Sequence, residues 1–281
     1  MKKISLIALD LDGTLLDSSL QISLENQQSI RNAIAQGVEV IIATGRSYHG
    51  IPIEQLASLG IKYVITSNGA AIYKIPEKTC IFEDNIPFET ILPIVQKLSG
   101  FDILVHIFIN GHCYSQTSKL SIIDKLSCTD AFRTFLRTVG IQVDDLAEYL
   151  VSQRTPIQKG CITFYRDENN NAKDWDDVYT YLMSQSMLKC VDGGVANLEF
   201  TNAEVSKAHA LKFLADYLSI SMEETMACGD SENDLDIIEA AGIGVAMDNA
   251  ANMVKASADF ISLTNNQHGV AYSINHFLDI H

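Results

Sequence analysis

Asp10 and Asp12 stand two positions apart, directly after an apolar run from Ile4 to Leu9. An unbroken apolar run of this length fits a strand buried on both faces of a parallel sheet. The two acids then lie at the strand's carboxyl end, where open α/β sheets bind their ligands. Residues i and i+2 of extended chain share a face, and carboxylates so placed repel one another unless a cation lies between them. Gly13 allows the sharp turn that must follow. In isolation the pair reads equally well as solvated acids at a strand end.

Gly229-Asp230-Ser231-Glu232-Asn233-Asp234 repeats the arrangement after the short strand expected over Thr225–Cys228. Asp230 and Asp234 join Asp10 and Asp12 in a donor set made only of oxygen, which suits Mg²⁺ and not zinc. Ser231 or Asn233 would also cap the helix expected over Asn233–Ala241, yet a cap needs one such residue and not four. Thr44-Gly45-Arg46 follows a second buried run, Val38–Ala43. A hydroxyl with free N–H groups at a strand end suits a phosphate oxygen. Lys207 lies in the first turn of a helix patterned by Leu211, Leu214, Ala215 and Leu218. The helix dipole disfavours a cation there, so the placement makes sense if the ammonium points at an anion.

The elements that must position these residues alternate in period. Ser23 can cap a helix with Ile30, Ala33 and Ile34 on one face, and Gly37 can end it. Ile61–Thr66 is a third buried strand, so the first third reads strand, helix, strand, helix, strand: a parallel sheet with right-handed crossovers. The rhythm returns late in the chain with a helix over Val205–Ser219, strands at Ile243–Met247 and Phe260–Ser262, and a last helix over Val270–Leu278. Between them, Ile103–Ile109 and Cys161–Tyr165 are richer in β-branched and aromatic residues, and Asp167–Asn171 reads as an exposed turn. The expected organisation is a core in two segments, 1–82 and 191–281, with an α+β domain inserted at 83–190.

Composition bounds the function. The 281 residues are 47% hydrophobic and carry a net charge of −15, which supports a packed core and argues against nucleic-acid or anionic-membrane partners. An anionic substrate then requires a local cation or metal. No two of the six cysteines are closer than Cys113 and Cys128, so CxxC chemistry is excluded and free thiols in a reducing cytoplasm are expected. No apolar stretch reaches the ~18 residues of a membrane span.

Asp10-Leu11-Asp12-Gly13-Thr14, Thr44-Gly45-Arg46, Lys207 and Gly229 through Asp234 resemble, in order, the four motifs of the haloacid dehalogenase (HAD) superfamily. Ser67-Asn68-Gly69-Ala70, Val245-Ala246-Met247 and the position of the insertion resemble its Cof-like subfamily with a C2B-type cap. The resemblance implies a Rossmann-like parallel-sheet core with an inserted α+β cap, and a Mg²⁺-dependent phosphatase acting on a small phosphorylated metabolite. It implies Asp10 as the nucleophile that forms an aspartyl-phosphate, and Asp12 as general acid and then base. The metal would be held by Asp10, the Asp12 backbone carbonyl and Asp230, with support from Asp234. Thr44, with Gly45 and Arg46 of its motif, and Lys207 would hold phosphate oxygens, and Asn68 and Asn233 would make secondary contacts. Asp248 departs from the subfamily's glycine and adds charge near the rim, and His268 stands where an acid is common.

A phosphotransferase or phosphomutase on the same scaffold and a catalytically silent phosphometabolite-binding module remain open at this point, the latter weakened because no motif acid is missing. Tyr48 and His49 read as substrate contacts or as solvent loop. His106 reads as a satisfied strand histidine, and Trp175 as packing.

Overall fold

The computed structural model describes residues 3–126, 128–165, 171–192 and 197–279. The chain opens with β1 (Leu6–Leu9), α1 (Leu24–Ala35), β2 (Glu39–Ala43), α2 (Ile53–Ser58), β3 (Tyr63–Thr66), β4 (Ala71–Lys74) and β5 (Thr79–Glu83). All four residues of β1 are buried, as its sequence requires. Ser23 caps α1 as expected, its hydroxyl accepting from the Asn26 N–H at 3.2 Å.

An insertion follows: α3 (Phe88–Leu98), β6 (Leu104–Ile109), β7 (His112–Gln116), α4 (Asp130–Thr138), β8 (Gly140–Val143), α5 (Leu146–Gln153), β9 (Lys159–Thr163), α6 (Trp175–Met183), β10 (Leu188–Asp192) and β11 (Asn197–Asn202). The chain then returns through α7 (Lys207–Tyr217), β12 (Thr225–Gly229), α8 (Leu235–Ala240), β13 (Ile243–Ala246), α9 (Asn252–Ser257), β14 (Phe260–Ile261) and α10 (Gly269–Leu278).

Two compact units result. The first comprises residues 1–46, 52–82 and 206–281, and the second residues 47–51 and 83–205. The first unit holds an eight-stranded sheet in the order β14-β13-β12-β1-β2-β3-β4-β5. From β14 to β3 every neighbour is parallel, and β4 runs antiparallel to β3. β1 therefore lies between β2 and the late strand β12, with Leu9 opposite both Ile42 and Cys228. This register puts the carboxyl ends of segments far apart in sequence side by side. Leu6, Ala8, Ile41, Ala43 and Ala227 pack against Leu211 and Leu214 of α7.

The second unit is a six-stranded sheet, β10-β11-β9-β6-β7-β8, antiparallel except for β7 and β8. Val105, Ile107, Ile109, Ile162 and Phe200 face α3, α5 and α6 across its core. Trp175 joins this core through a ring contact with Phe164 at 4.9 Å, so it packs as expected. The expected return to the first unit at residue 191 is too early. β11 pairs with β9 (Phe200 opposite Gly160), which holds the chain in the second unit to Val205. Residues 47–51 also belong there: His49 N–H donates to the Gly111 carbonyl at 3.0 Å and its ring stacks on His112 at 3.8 Å. The turn expected at Asp167–Asn171 lies, apart from Asn171, outside the described residues. All six cysteines are free thiols, and no helix among the described residues is long and apolar enough to cross a membrane.

His106 lies on the sheet face opposite α3, α5 and α6, buried, with Nδ1 2.6 Å from the Ser115 hydroxyl. Burial, reinforced by the Lys159 charge, pushes its imidazole down to about 4 from 6.5. The native state thus holds His106 neutral where the unfolded chain would protonate it, so stability drops as pH falls from about 6.5 to 4. The loss is on the order of 3 kcal/mol. Denaturant titrations at pH 7.5 and 4.5 should show it, and His106→Gln should shrink the difference between the two pH values.

Candidate active site

Asp10 continues the hydrogen bonding of β1, its N–H donating to the Cys228 carbonyl at 3.0 Å. The chain then turns through Gly13 at φ +79°. Thr14 folds back, and its hydroxyl donates to Asp230 Oδ1 at 3.0 Å. A Cβ at position 13 would stand 2.5 Å from Asp230 Oδ2, so glycine is needed here for space as well as for conformation.

Lys207 is the first residue of α7, after Ser206, whose hydroxyl accepts from the His209 N–H at 3.0 Å. Its ammonium is buried and lies 2.7 Å from Asp10 Oδ1 and 2.6 Å from Asp234 Oδ1. Two carboxylates offset the unfavourable dipole at that helix end. The other oxygen of Asp234 accepts from the backbone N–H groups of Asp230 and Ser231 at 3.0 and 3.1 Å. Asp234 thus fixes the β12 turn and grips Lys207 at once. A 3-10 turn over Glu232–Asp234 precedes α8 where a continuous helix from Asn233 was expected, because the turn is built around these side-chain bonds. Asp10, Asp230 and Asp234 each place a carboxylate oxygen within 4.8 Å of the others.

The electrostatics follow from this crowding. Burial, then Asp234, push the Asp10 carboxyl well above its ordinary range, against the pull of Lys207. The same two causes raise Asp230 to about 6. Burial alone would lower Lys207, but Asp10 and Asp234 outweigh it and hold the ammonium charged. Once ionised, three carboxylates against one ammonium leave two negative charges in a largely buried site. A divalent cation would balance that excess, and the all-oxygen donor set fits a hard ion such as Mg²⁺.

Asp12 lies outside this triad of carboxylates. Its side chain meets Arg46 in a two-pronged ion pair: Nε donates to Oδ2 at 2.7 Å and Nη2 to Oδ1 at 2.6 Å. Arg46 was expected on phosphate oxygens, and in this structure its fork holds a carboxylate. Thr44 is buried at the end of β2, its hydroxyl accepting from the Arg46 N–H at 3.2 Å across Gly45. Asn233 donates to Asn68 Oδ1 at 3.1 Å, so the two expected secondary contacts form an amide pair with each other. Ser67, Asn68 and Gly69 all have positive φ, and a Cβ on Gly69 would stand 2.1 Å from the Ser206 carbonyl oxygen. That bend is therefore seated on the start of the helix bearing Lys207.

Asp248 pairs with Lys255 at 2.9 Å and takes no part in the triad. His268 is helix-terminal, 3.6 Å from Glu25. Contacts of Thr14, Ser231 and Asn249 around the acid cluster were not expected from the sequence, which offered Ser231 only as a helix cap. Ser231 Oγ donates to Asp230 at 3.2 Å, and Asn249 donates to the Gly13 carbonyl at 2.8 Å. A hydroxyl beside a turn glycine hinted at Thr14; the partners of Thr14 and Asn249 lie too far along the chain for spacing to reveal them, whereas Ser231 meets its own neighbour.

An acid cluster compensated by one ammonium at the carboxyl edge of a parallel sheet is the ligand-binding edge of an open α/β fold. Residues 7–274 match the family described as haloacid dehalogenase-like hydrolase. The chain is 34% identical over 290 residues to the phosphatase YwpJ of Bacillus subtilis, covering 97% of this chain and 99% of that protein. It is 31% identical over 281 residues to the B. subtilis 5-amino-6-(5-phospho-D-ribitylamino)uracil phosphatase YcsE, covering 98% and 96%. A solved haloacid dehalogenase-like hydrolase from B. subtilis superposes with a TM-score of 0.84 at 31% identity, covering 97% of this chain and 99% of that one. The chain belongs to the Cof-like haloacid dehalogenase-like hydrolases of the HAD superfamily. It is accordingly a phosphoric monoester hydrolase.

The raised Asp230 carboxyl sets a sign for the metal-free protein. The native state keeps a proton that the unfolded chain releases near pH 4, so stability falls as pH rises through about 6. Mg²⁺ should therefore raise the melting temperature more at pH 8 than at pH 5, and Asp230→Asn should shrink that difference. Gly13→Ala should lower the melting temperature by several degrees, a loss of about 2 kcal/mol or more from forced φ and crowding, and should cut phosphatase turnover with it.

Proposed function

We propose that the protein is a Mg²⁺-dependent phosphatase of a small phosphorylated metabolite, working through an aspartyl-phosphate on Asp10. The observation that carries this reading is the single ammonium of Lys207 shared by Asp10 and Asp234, with Asp230 within reach. Asp10 must be ionised to attack phosphorus, yet burial opposes ionisation. Lys207 opposes that penalty from one side. A divalent ion held by the carboxylates of Asp10 and Asp230, braced by Asp234, would supply the remaining charge and polarise the transferring phosphoryl group.

In the first half-reaction an Asp10 oxygen bonds to phosphorus while the bond to the leaving oxygen breaks, and Asp12 gives its proton to the departing alcohol. In the second, water attacks the phosphoryl group, Asp12 takes the proton, and Asp10 is regenerated as phosphate leaves. Lys207 and the Thr44 hydroxyl serve the non-bridging oxygens, whose charge must be matched in the transition state. The named activity of the curated relative YcsE supports a small polyol-type phosphate ester as the substrate class. The net charge of −15 favours neither nucleic acid nor an anionic surface as a partner.

Asp10→Asn should lower p-nitrophenyl phosphate turnover by at least about a thousandfold while leaving the circular-dichroism spectrum unchanged. Retention of activity would remove Asp10 from the chemistry. EDTA should silence the wild type and added Mg²⁺ restore it. Phosphate release across a panel of sugar and polyol phosphates would set the substrate.

A further inference from the structure

The cluster contains two cations with separate assignments. Lys207 serves Asp10 and Asp234, whereas Arg46 serves Asp12, which stands apart from the converging triad. The two arise from adjacent strands: Asp12 lies three residues past Leu9 of β1, and Arg46 four past Ile42 of β2, its register partner. The Arg46 side chain is only 11% exposed, while that of Asp12 is 45% exposed. The guanidinium is thus a fixed fork and the carboxylate the member open to solvent.

A planar fork that engages both carboxylate oxygens fixes the plane of the carboxyl group, which a single ammonium cannot do. The outward lone pairs of both oxygens stay available to water, since each oxygen has two and the fork uses one. These are the requirements of a general base.

Resting on the aspartyl-phosphate reading above, we propose that Arg46 is a positioning residue for the second half-reaction: it holds Asp12 oriented as the base that delivers water to the phosphoenzyme. In that step the water oxygen bonds to phosphorus and a water proton passes to an Asp12 oxygen. The bond from phosphorus to the Asp10 oxygen breaks, with its electron pair returning to the Asp10 carboxylate. Forming the phosphoenzyme from an aryl phosphate makes no comparable demand, because p-nitrophenolate leaves without a proton.

The two half-reactions can be timed separately. Enzyme with Mg²⁺ is mixed with ³²P-labelled p-nitrophenyl phosphate, and acid quenching measures label on protein. A chase of unlabelled substrate then gives the rate at which label is lost. Arg46→Gln should slow label loss about tenfold or more and raise the labelled fraction, while the pre-steady-state burst of p-nitrophenolate forms within about threefold of the wild-type rate. Arg46→Lys, which keeps the charge but not the fork, should fall between, and it decides the matter by the same two rates if Arg46→Gln fails to fold. Label lost at the wild-type rate, or equal slowing of both steps, overturns the role of Arg46. Absence of label on the wild-type protein would instead overturn the phosphoenzyme itself.

Discussion

Burying Lys207 between Asp10 and Asp234 is the constraint on which the site depends. An ammonium taken from water loses a large solvation energy, and only close carboxylates recover it. The same ammonium makes the carboxylates tolerable, since three acids in a dry cleft repel one another. Neither partner is stable there alone. Removing one member of such a buried pair typically costs about 3–5 kcal/mol, mostly through the charge left behind. Asp10 is therefore held in place by a buried charge cluster whose members stabilise one another.

Parallel strands bring these groups together. Four neighbouring strands end on one edge of the sheet, and each delivers one contribution: Asp230 after β12, Asp10 after β1, Thr44 after β2 and Asn68 after β3. Backbone hydrogen bonds across the edge, such as Asn68 N–H to the Thr44 carbonyl at 3.2 Å and Ser67 N–H to the Arg46 carbonyl at 2.9 Å, tie the turns to one another. Asn249, reaching back to Gly13, extends the lattice to the late segment. Side chains are thus set by strand register and by the carbonyls and amides of neighbouring turns, a stiffer support than isolated loops provide.

Much of this was legible in the residues. The apolar runs behind β1, β2 and β12, the Ser23 cap and the helix beginning at Lys207 stand within a few residues of their expected bounds, because local burial and capping decide them. The Asp10, Asp230, Asp234 and Lys207 constellation was likewise readable, since its members sit at strand and helix ends. What could not be read was pairing at a distance. An alternating segment such as Asn197–Asn202 carries no mark of which sheet it joins, so the end of the insertion was placed at 190 when the strand belongs beside β9. Spacing equally says nothing about which of four acids an arginine will choose, and Arg46 chose Asp12. The break of α8 into a 3-10 turn followed from Asp234 being occupied with the Asp230 and Ser231 amides, a tertiary demand overriding helical pattern.

The interrupted sheet has a consequence during synthesis. β1 is flanked on one side by β2, which follows it closely, and on the other by β12, which begins only at Thr225. At ~5–20 residues per second, a ribosome needs about 10–40 s to make residues 10–224. Throughout that interval the nascent polypeptide offers an unpaired, wholly apolar strand edge to its surroundings. Unpaired edges of that kind are templates for association with other chains. Efficient production of this enzyme in a cell thus depends on how long that edge is shielded, by chaperones or by the nascent chain's own collapse, before the last fifth of the polypeptide emerges.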